Sequence, residues 1–540
     1  MSHMPPIFIS RHSGIFRNSR LAKIALCYLC VLATSACQKG LKDFNETAPT
    51  HFSVVLPTKE TTIIRGGVDK DTLKALIKLP EQNATETDTS QYSFVWTTLS
   101  GTQVLSRKPY LTVTDFNGID PTKNTVQLTV TERSTDLLQK VTADVFITTP
   151  TREGWMILGE KSGKAQIGML TYTSNGYKKI TDVNTVLGKN IPINGKPLSI
   201  SAIGSDKKYN QSLHQWVGVS TDQEIKIFSS LDLTVETNVS QAVTNSMTPS
   251  AASPVIIEKT GYNYFMARKG TDMFQIDLYY LKSLNLPSKQ PMNSISTGGV
   301  SKVFPVSGIN VQVGPEVPNY AGCYYRIIYD TDSCSFVWDD AYNMYTSQTK
   351  YLPLLLPFSL KGFQPKAIRN TMATGTVTDV LYTLMHNPST KETYFIQFLS
   401  NGLVKDVKQL SFTKASEILN SPFIEIDYNT GYVIYVKGNA VYAYDPGADQ
   451  AFSLIDFGNE AISLVKFEKF NPGSSKVPGR KEVYTELFKR LVVCTYDPAN
   501  PNTSGTIRLY RIPLGHQAPI AETVETGFPK IIDTDFIPIH

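Results

Sequence analysis

The sequence predicts an all-β protein, and three observations carry that expectation. Short runs rich in Val, Ile, Thr, Tyr and Phe recur along the 540 residues, separated by clusters of Gly, Asn, Asp and Pro. Helical periodicity is scarce. Beyond residue 150, strand pairs repeat at a nearly constant interval, the mark of an array built from one supersecondary unit. The chain is also too long for one ordinary core, so at least two domains are expected.

Residues 1–36 read as a lipoprotein signal peptide. Arg11, Arg17, Arg20 and Lys23 precede the apolar run Ile24 to Ala33, and Thr34-Ser35-Ala36 lead to Cys37, the expected lipidated first residue. Ten apolar residues are too few to cross a hydrocarbon core of about 30 Å. Everything after Cys37 is therefore expected outside the inner membrane, tethered by acyl chains rather than spanning the bilayer. The signal carries four positive charges and no negative one. Without it the net charge falls from +5 to about +1, with 48 Lys and Arg against 47 Asp and Glu. No basic run follows that would track phosphates, which argues against a nucleic-acid partner.

Residues 37–50 form a short polar tether. Residues 51–150 then offer seven strand-like runs: 52–56, 61–64, 73–79, 92–97, 110–114, 124–132 and 140–148. Seven strands in a hundred residues, with Trp96 on a middle one, fit an immunoglobulin-like β-sandwich in which that Trp plugs the core.

Residues 151–540 carry the repeat. Apolar strands centred on residues 155, 216, 265, 325, 382, 433 and 492 are spaced 49 to 61 residues apart. Polar turns and second strands follow, among them 224–228, 273–277, 335–338, 393–397, 440–444 and 506–510. Such spacing accommodates four short strands with loops, the blade of a β-propeller, and seven blades are expected. Blades stack face to face, so strict alternation is not required. The run 527–536 is expected to close the ring.

Cysteine is scarce, with three residues (Cys323, Cys334 and Cys494) beyond Cys37. A hairpin turning at Asp330 to Ser333 would put Cys334 opposite Tyr329 and Cys323 roughly 20 Å further along its strand, too far for a disulfide. These cysteines read as small packing residues. His51, His214, His386, His516 and His540 lack ligand spacing, and no metal site or cofactor is expected. Zinc-helix, nucleophile-elbow and phosphate-loop motifs are absent from the sequence. Ser220-Thr-Asp-Gln-Glu224 departs from sialidase turns, with Glu where those need Gly. The Asp pairs at 69–71 and 330–332, and Asp497 with its Asn neighbours, read as turn formers whose side chains bond the local backbone.

Several stretches resemble a known family. Gly154-Trp-Met-Ile-Leu-Gly-Glu-Lys-Ser-Gly163, Gly195-Lys-Pro-Leu198, the hairpin Tyr329 to Phe336 and the ending Gly527 to Asp533, after a lipobox and one sandwich, look like the PKD-like lipoproteins of Bacteroidota. Trp96-Thr-Thr-Leu-Ser-Gly101 departs from the Trp-Asp-Phe-Gly-Asp-Gly run of true PKD domains. The resemblance implies a surface lipoprotein accompanying a TonB-dependent porin and its SusD-like lid lipoprotein, and it supplies no catalytic residues.

The candidate ligand-binding patch is Trp338, Asp339, Asp340, Tyr342 and Tyr345, continuing to Tyr351. Aromatic rings beside carboxylates, in a loop expected after a hairpin strand, suit sugar stacking or peptide capture. The function expected is non-catalytic: binding or accessory work in a SusC/SusD-like glycan or peptide uptake system. The alternatives are a propeller glycoside hydrolase or lyase with carboxylates in its funnel, and a purely structural interaction subunit.

Overall fold

The structure is a computed structural model, described here for residues 52–538. Not included are 57–59, 65–72, 80–83, 87–88, 113–114, 116–122, 149–150, 174–175, 204–215, 231–232, 239–248, 251, 253, 260–263, 271, 278–293, 298–299, 304–305, 314–324, 341–349, 371–379, 400 and 469–479. Cys37 and the segments 1–36 and 37–50 therefore lie outside the described residues. So do His51, His214, Cys323 and the Asp69–Asp71 pair.

Strands dominate, as the sequence predicts. In the N-terminal part, Tyr92–Thr98, Lys123–Glu132 and Leu138–Thr148 form the middle of a five-stranded sheet. Val104–Ser106 flanks one side. Glu60–Ile64 flanks the other, running parallel to Leu138–Thr148. A second sheet joins Ser53–Val55, Leu76–Leu79 and Ala84–Glu86. Along Tyr92–Thr98 buried positions alternate with half-buried ones, the pattern of a sheet with one face on a core. Trp96 is fully buried and donates its indole N–H to the Lys108 carbonyl at 3.0 Å. Its cluster (Leu111, Val126, Leu128, Val130 and Val145 among others) draws every buried member from residues 52–145.

From Gly154 onward the described residues form seven antiparallel sheets of three or four strands, with a separate strand pair at 294–303. The first sheet uses both ends of this region. Gly154–Lys161 pairs on one side with Lys164–Thr173 and on the other with the C-terminal strand Lys530–Ile537. The remaining sheets follow in chain order. They begin at Pro197–Ile203, Val255–Lys259, Val306–Val313, Gln364–Asn370, Ile424–Ile426 and Ala461–Phe467.

Among the described residues these leading strands meet in two runs. Lys530–Ile537 lies between Ala461–Phe467 and Pro197–Ile203, and Pro197–Ile203 in turn meets Val255–Lys259. On the other side Val306–Val313, Gln364–Asn370, Ile424–Ile426 and Ala461–Phe467 succeed one another. Six apolar clusters join adjacent sheets. One, around Trp155, Val492 and Phe536, welds the seventh sheet to the first. Sheets packed face to face around a common axis, shut by pairing of the two ends, make a β-propeller.

Burial grades along each sheet. The second strands, Trp216–Thr221 and Val433–Lys437 for instance, are buried on both faces, whereas the outer strands Val404–Gln409 and Gln450–Asp456 are largely exposed. Gly154 shows how tightly the first sheet is built. Its φ is +136°, and a Cβ there would sit 2.0 Å from the Leu170 carbonyl oxygen, so only glycine fits.

Two sequence expectations need correction. In the strand register Phe336, not Cys334, pairs with Tyr329, because Cys334 ends the turn in a left-handed conformation (φ +51°) with its thiol beside the Tyr329 hydroxyl. Its thiol accepts the Gly362 N–H at 3.2 Å, and both Cys334 and Cys494 are free thiols. Among the described residues helices also punctuate the sheets at Val183–Leu187, Phe412–Leu419 and Arg480–Phe488, each too short to stand out against the strand pattern of the sequence.

Candidate functional site

Of the patch chosen from sequence, the structure describes only the backbone of its first three residues. Trp338, Asp339 and Asp340 continue the strand Ser335–Asp340, in register with Ile327, Arg326 and Tyr325, rather than entering a loop. Their side chains lie outside the described residues, as do Tyr342 and Tyr345 entirely. Tyr351 is half-exposed and gives its hydroxyl to Asp330 at 3.2 Å. Asp330 itself organises the hairpin turn by accepting the Asp332 N–H and the Ser333 hydroxyl, the local backbone role expected for it. Asp497 acts similarly on Ala499 and Asn500.

Charged side chains converge instead on the leading strands. Lys466, on Ala461–Phe467, meets Asp533 at 2.9 Å and Glu468 at 3.6 Å and also donates to the Thr534 carbonyl. Burial opposes its charge, but Asp533, Glu468 and Asp535 outweigh that and hold the ammonium well above the usual lysine range. Asp533 accepts the Ile200 N–H at 3.0 Å, and Asp535 accepts the Ala202 N–H at 2.6 Å. Arg369 is buried and reaches two backbone carbonyls of the seventh sheet's first turn, Phe467 and Glu468, at 3.3 and 2.6 Å. Its guanidinium also lies 4.8 Å from the Phe488 ring centre. Burial lowers its pKa from the ordinary arginine value. Every one of these ionic groups holds one sheet to another.

A second buried group lies where the N-terminal part ends. Glu153 accepts the Tyr484 hydroxyl at 2.9 Å and pairs with Arg480 at 3.1 Å. Burial pushes its carboxyl up to about 7 despite the pull of Arg480 and Tyr484.

Among the described residues there is also a half-open cavity of about 380 Å³. Its walls are the turn after Ile424–Ile426 (Asp427, Asn429), the end of helix Arg480–Phe488 (Glu486, Lys489, Arg490) and the turn after Gly505–Arg511 (Arg511 to Gln517). Lys489 pairs with Glu486 at 2.8 Å, and Arg511 with Glu522 at 3.2 Å. Arg490 is buried between Glu486 and Glu522. No sequence signal marks this cavity, because its three segments are brought together only by the stacking of the sixth and seventh sheets. Among the described residues no three His, Cys, Asp or Glu side chains group as metal ligands, and no helix is long and apolar enough to cross a membrane.

No protein-family model and no curated protein matches the chain. Solved structures resemble it distantly. A quinoprotein alcohol dehydrogenase-like protein of Bacteroides thetaiotaomicron aligns over 89% of this chain and 94% of its own, at 12% identity and a TM-score of 0.35. The Dos1 propeller aligns over 70% and 87% respectively, at 10% identity and a TM-score of 0.35. A Lactobacillus plantarum protein aligns over 72% of this chain and all of its own, at 9% identity and a TM-score of 0.35.

Proposed function

We propose that this chain is a non-catalytic binding or accessory protein of the outer-membrane surface. In this reading Cys37 carries the lipid anchor, residues 51–150 form an immunoglobulin/PKD-like sandwich, and residues 151–540 form a seven-bladed propeller. It serves a TonB-dependent, SusC/SusD-like system that imports glycans or peptides. The observation that carries the non-catalytic part is the state of the carboxylates where the seventh, first and second sheets meet. Asp533 and Asp535 are engaged by backbone amides of the second sheet, and Lys466 ties Asp533 to Glu468. A glycosidase needs two carboxyl groups presented to substrate, and these are occupied in holding sheets together. The basic-then-apolar segment ending at Cys37 supports the anchor. The family resemblance supports the uptake role.

The test is purification of tagged full-length protein from its own outer membrane in mild detergent, with mass spectrometry of what accompanies it. A TonB-dependent porin and a lid lipoprotein in near-equal amounts are expected. Recovery of this chain alone would overturn the accessory role, and a hydrolase activity abolished by D533N would overturn the non-catalytic one.

A further inference from the structure

We infer that the cavity between Asn429, Lys489 and Arg511 binds a small polyhydroxylated ligand carrying one carboxylate, a hexuronic acid or its short oligomer. This rests on the glycan-binding reading above and names its ligand class. The volume, about 380 Å³, falls at the small end of pockets that take small molecules. That is room for one or two sugar rings.

The walls supply what such a ligand needs. Lys489 has one carboxylate partner, Glu486 at 2.8 Å, and an ammonium offers three N–H donors. Arg511 uses only its Nε, toward Glu522, and its two terminal nitrogens have no partner among the described residues. Both cations therefore keep donors for an anion, and Arg511 presents a planar fork suited to a carboxylate. Arg490 does not compete for this role, because it is buried and committed to Glu486 and Glu522. Two carboxylates also line the cavity: Asp427 already accepts from Asn429 and Thr430, and Glu486 is paired with Lys489 and Arg490, so the donors left over belong to Lys489 and Arg511. The side-chain amides of Asn429 and Gln517 suit hydroxyls, and Pro513 with the exposed Leu514 gives a C–H face an apolar wall.

That wall is fixed before any ligand arrives. His516, in the same turn, bonds Asp445 of the sixth sheet at 2.8 Å, and its ring lies 4.4 Å from that of Phe452. A preorganised wall lowers the ordering cost of binding.

The experiment is calorimetric titration of the full chain in detergent with galacturonate, with glucuronate and with neutral galactose. Binding of at least one uronate at a single site is expected, with galactose bound at least tenfold more weakly. The K489Q/R511Q variant should weaken that binding about tenfold or more, as expected for lost charge-assisted contacts, and added salt should weaken it too. An unchanged thermal transition would show that variant to be folded, and K489E serves as a second variant. No binding of either uronate, equal binding of galactose, or full binding by the folded variants would each overturn the inference. The result is independent of whether a porin co-purifies, so failure here and failure of the accessory role are read separately.

Discussion

Asp535 accepts the backbone N–H of Ala202 at 2.6 Å, across 333 residues of sequence. Asp533, two positions earlier on the same face of the same strand, accepts the N–H of Ile200 in the same manner. Residues i and i+2 of the C-terminal strand thus grip residues i and i+2 of the second sheet's leading strand. The first sheet is locked to the second through side chain and backbone together, while its own Gly154–Lys161 pairs the other edge of that C-terminal strand.

Removing the Asp535 carboxylate leaves a buried amide without its acceptor. D535A should lose about 2–3 kcal/mol of stability, the range for a hydrogen bond to a charged group. D535N keeps one amide oxygen that can accept, so it should lose less. Urea unfolding of the three proteins checks the order, and equal losses in the two variants would exclude the amide contact as the cause.

Lys466 answers Asp533 from the seventh sheet and closes the same joint from the other side. About a fifth of its side chain remains exposed, which tempers the penalty expected for breaking a fully buried pair. K466M and D533N should each cost about 2 kcal/mol, and the double variant less than their sum. A double-mutant cycle with a coupling energy of about 1 kcal/mol or more is the expected result. Additivity would mean the two charges act separately.

The propeller's second strands were legible in the sequence because they are buried on both faces. Gln215 to Val219 and Gly431 to Tyr435 read as continuous apolar runs, and the structure seats Trp216 to Val219 and Val433 to Tyr435 inside their sheets. The outer strands were not singled out. Ile520–Phe528 is mostly exposed and carries polar residues on both sides, so neither alternation nor an apolar run marks it. The helix Arg480–Phe488 gives a weak signal: its apolar face, Tyr484 and Phe488 with half-buried Val483 and Leu487, spans little more than one turn. The cavity and the Lys466 network were illegible in a deeper sense. Their members come from turns and strands tens of residues apart, and only the stacking of sheets gives them a common place. The loop expected after Trp338 begins later, because the strand Ser335–Asp340 runs two residues further.

Trp96 tests the separateness of the two parts. Among the described residues its apolar cluster draws no buried member from beyond residue 145, so its loss should be felt locally. W96A should destabilise the N-terminal part by about 3–5 kcal/mol, the usual cost of truncating a fully buried Trp. Calorimetry should then show one transition moving to lower temperature while a second stays in place. A single transition shifted as a whole would mean that the two parts unfold as one unit.

Glu153 gives the molecule a pH dependence whose sign follows from its burial. The folded state binds the proton more tightly than the unfolded chain, since the carboxyl is pushed up from 4.5 to about 7. The protonated form's stabilisation is complete below the unfolded value and is lost as pH rises through the folded one. Stability should therefore fall between about pH 4.5 and 7 and level off above. The span corresponds to a loss on the order of 3 kcal/mol for this group. Gln cannot ionise but can still accept from Tyr484, so E153Q should lack that slope. The stability difference should shift in the variant's favour by that order between pH 4.5 and 7.5. Urea midpoints of parent and variant across this range make the measurement. Parallel curves would mean that Arg480, at 3.1 Å, keeps Glu153 ionised throughout.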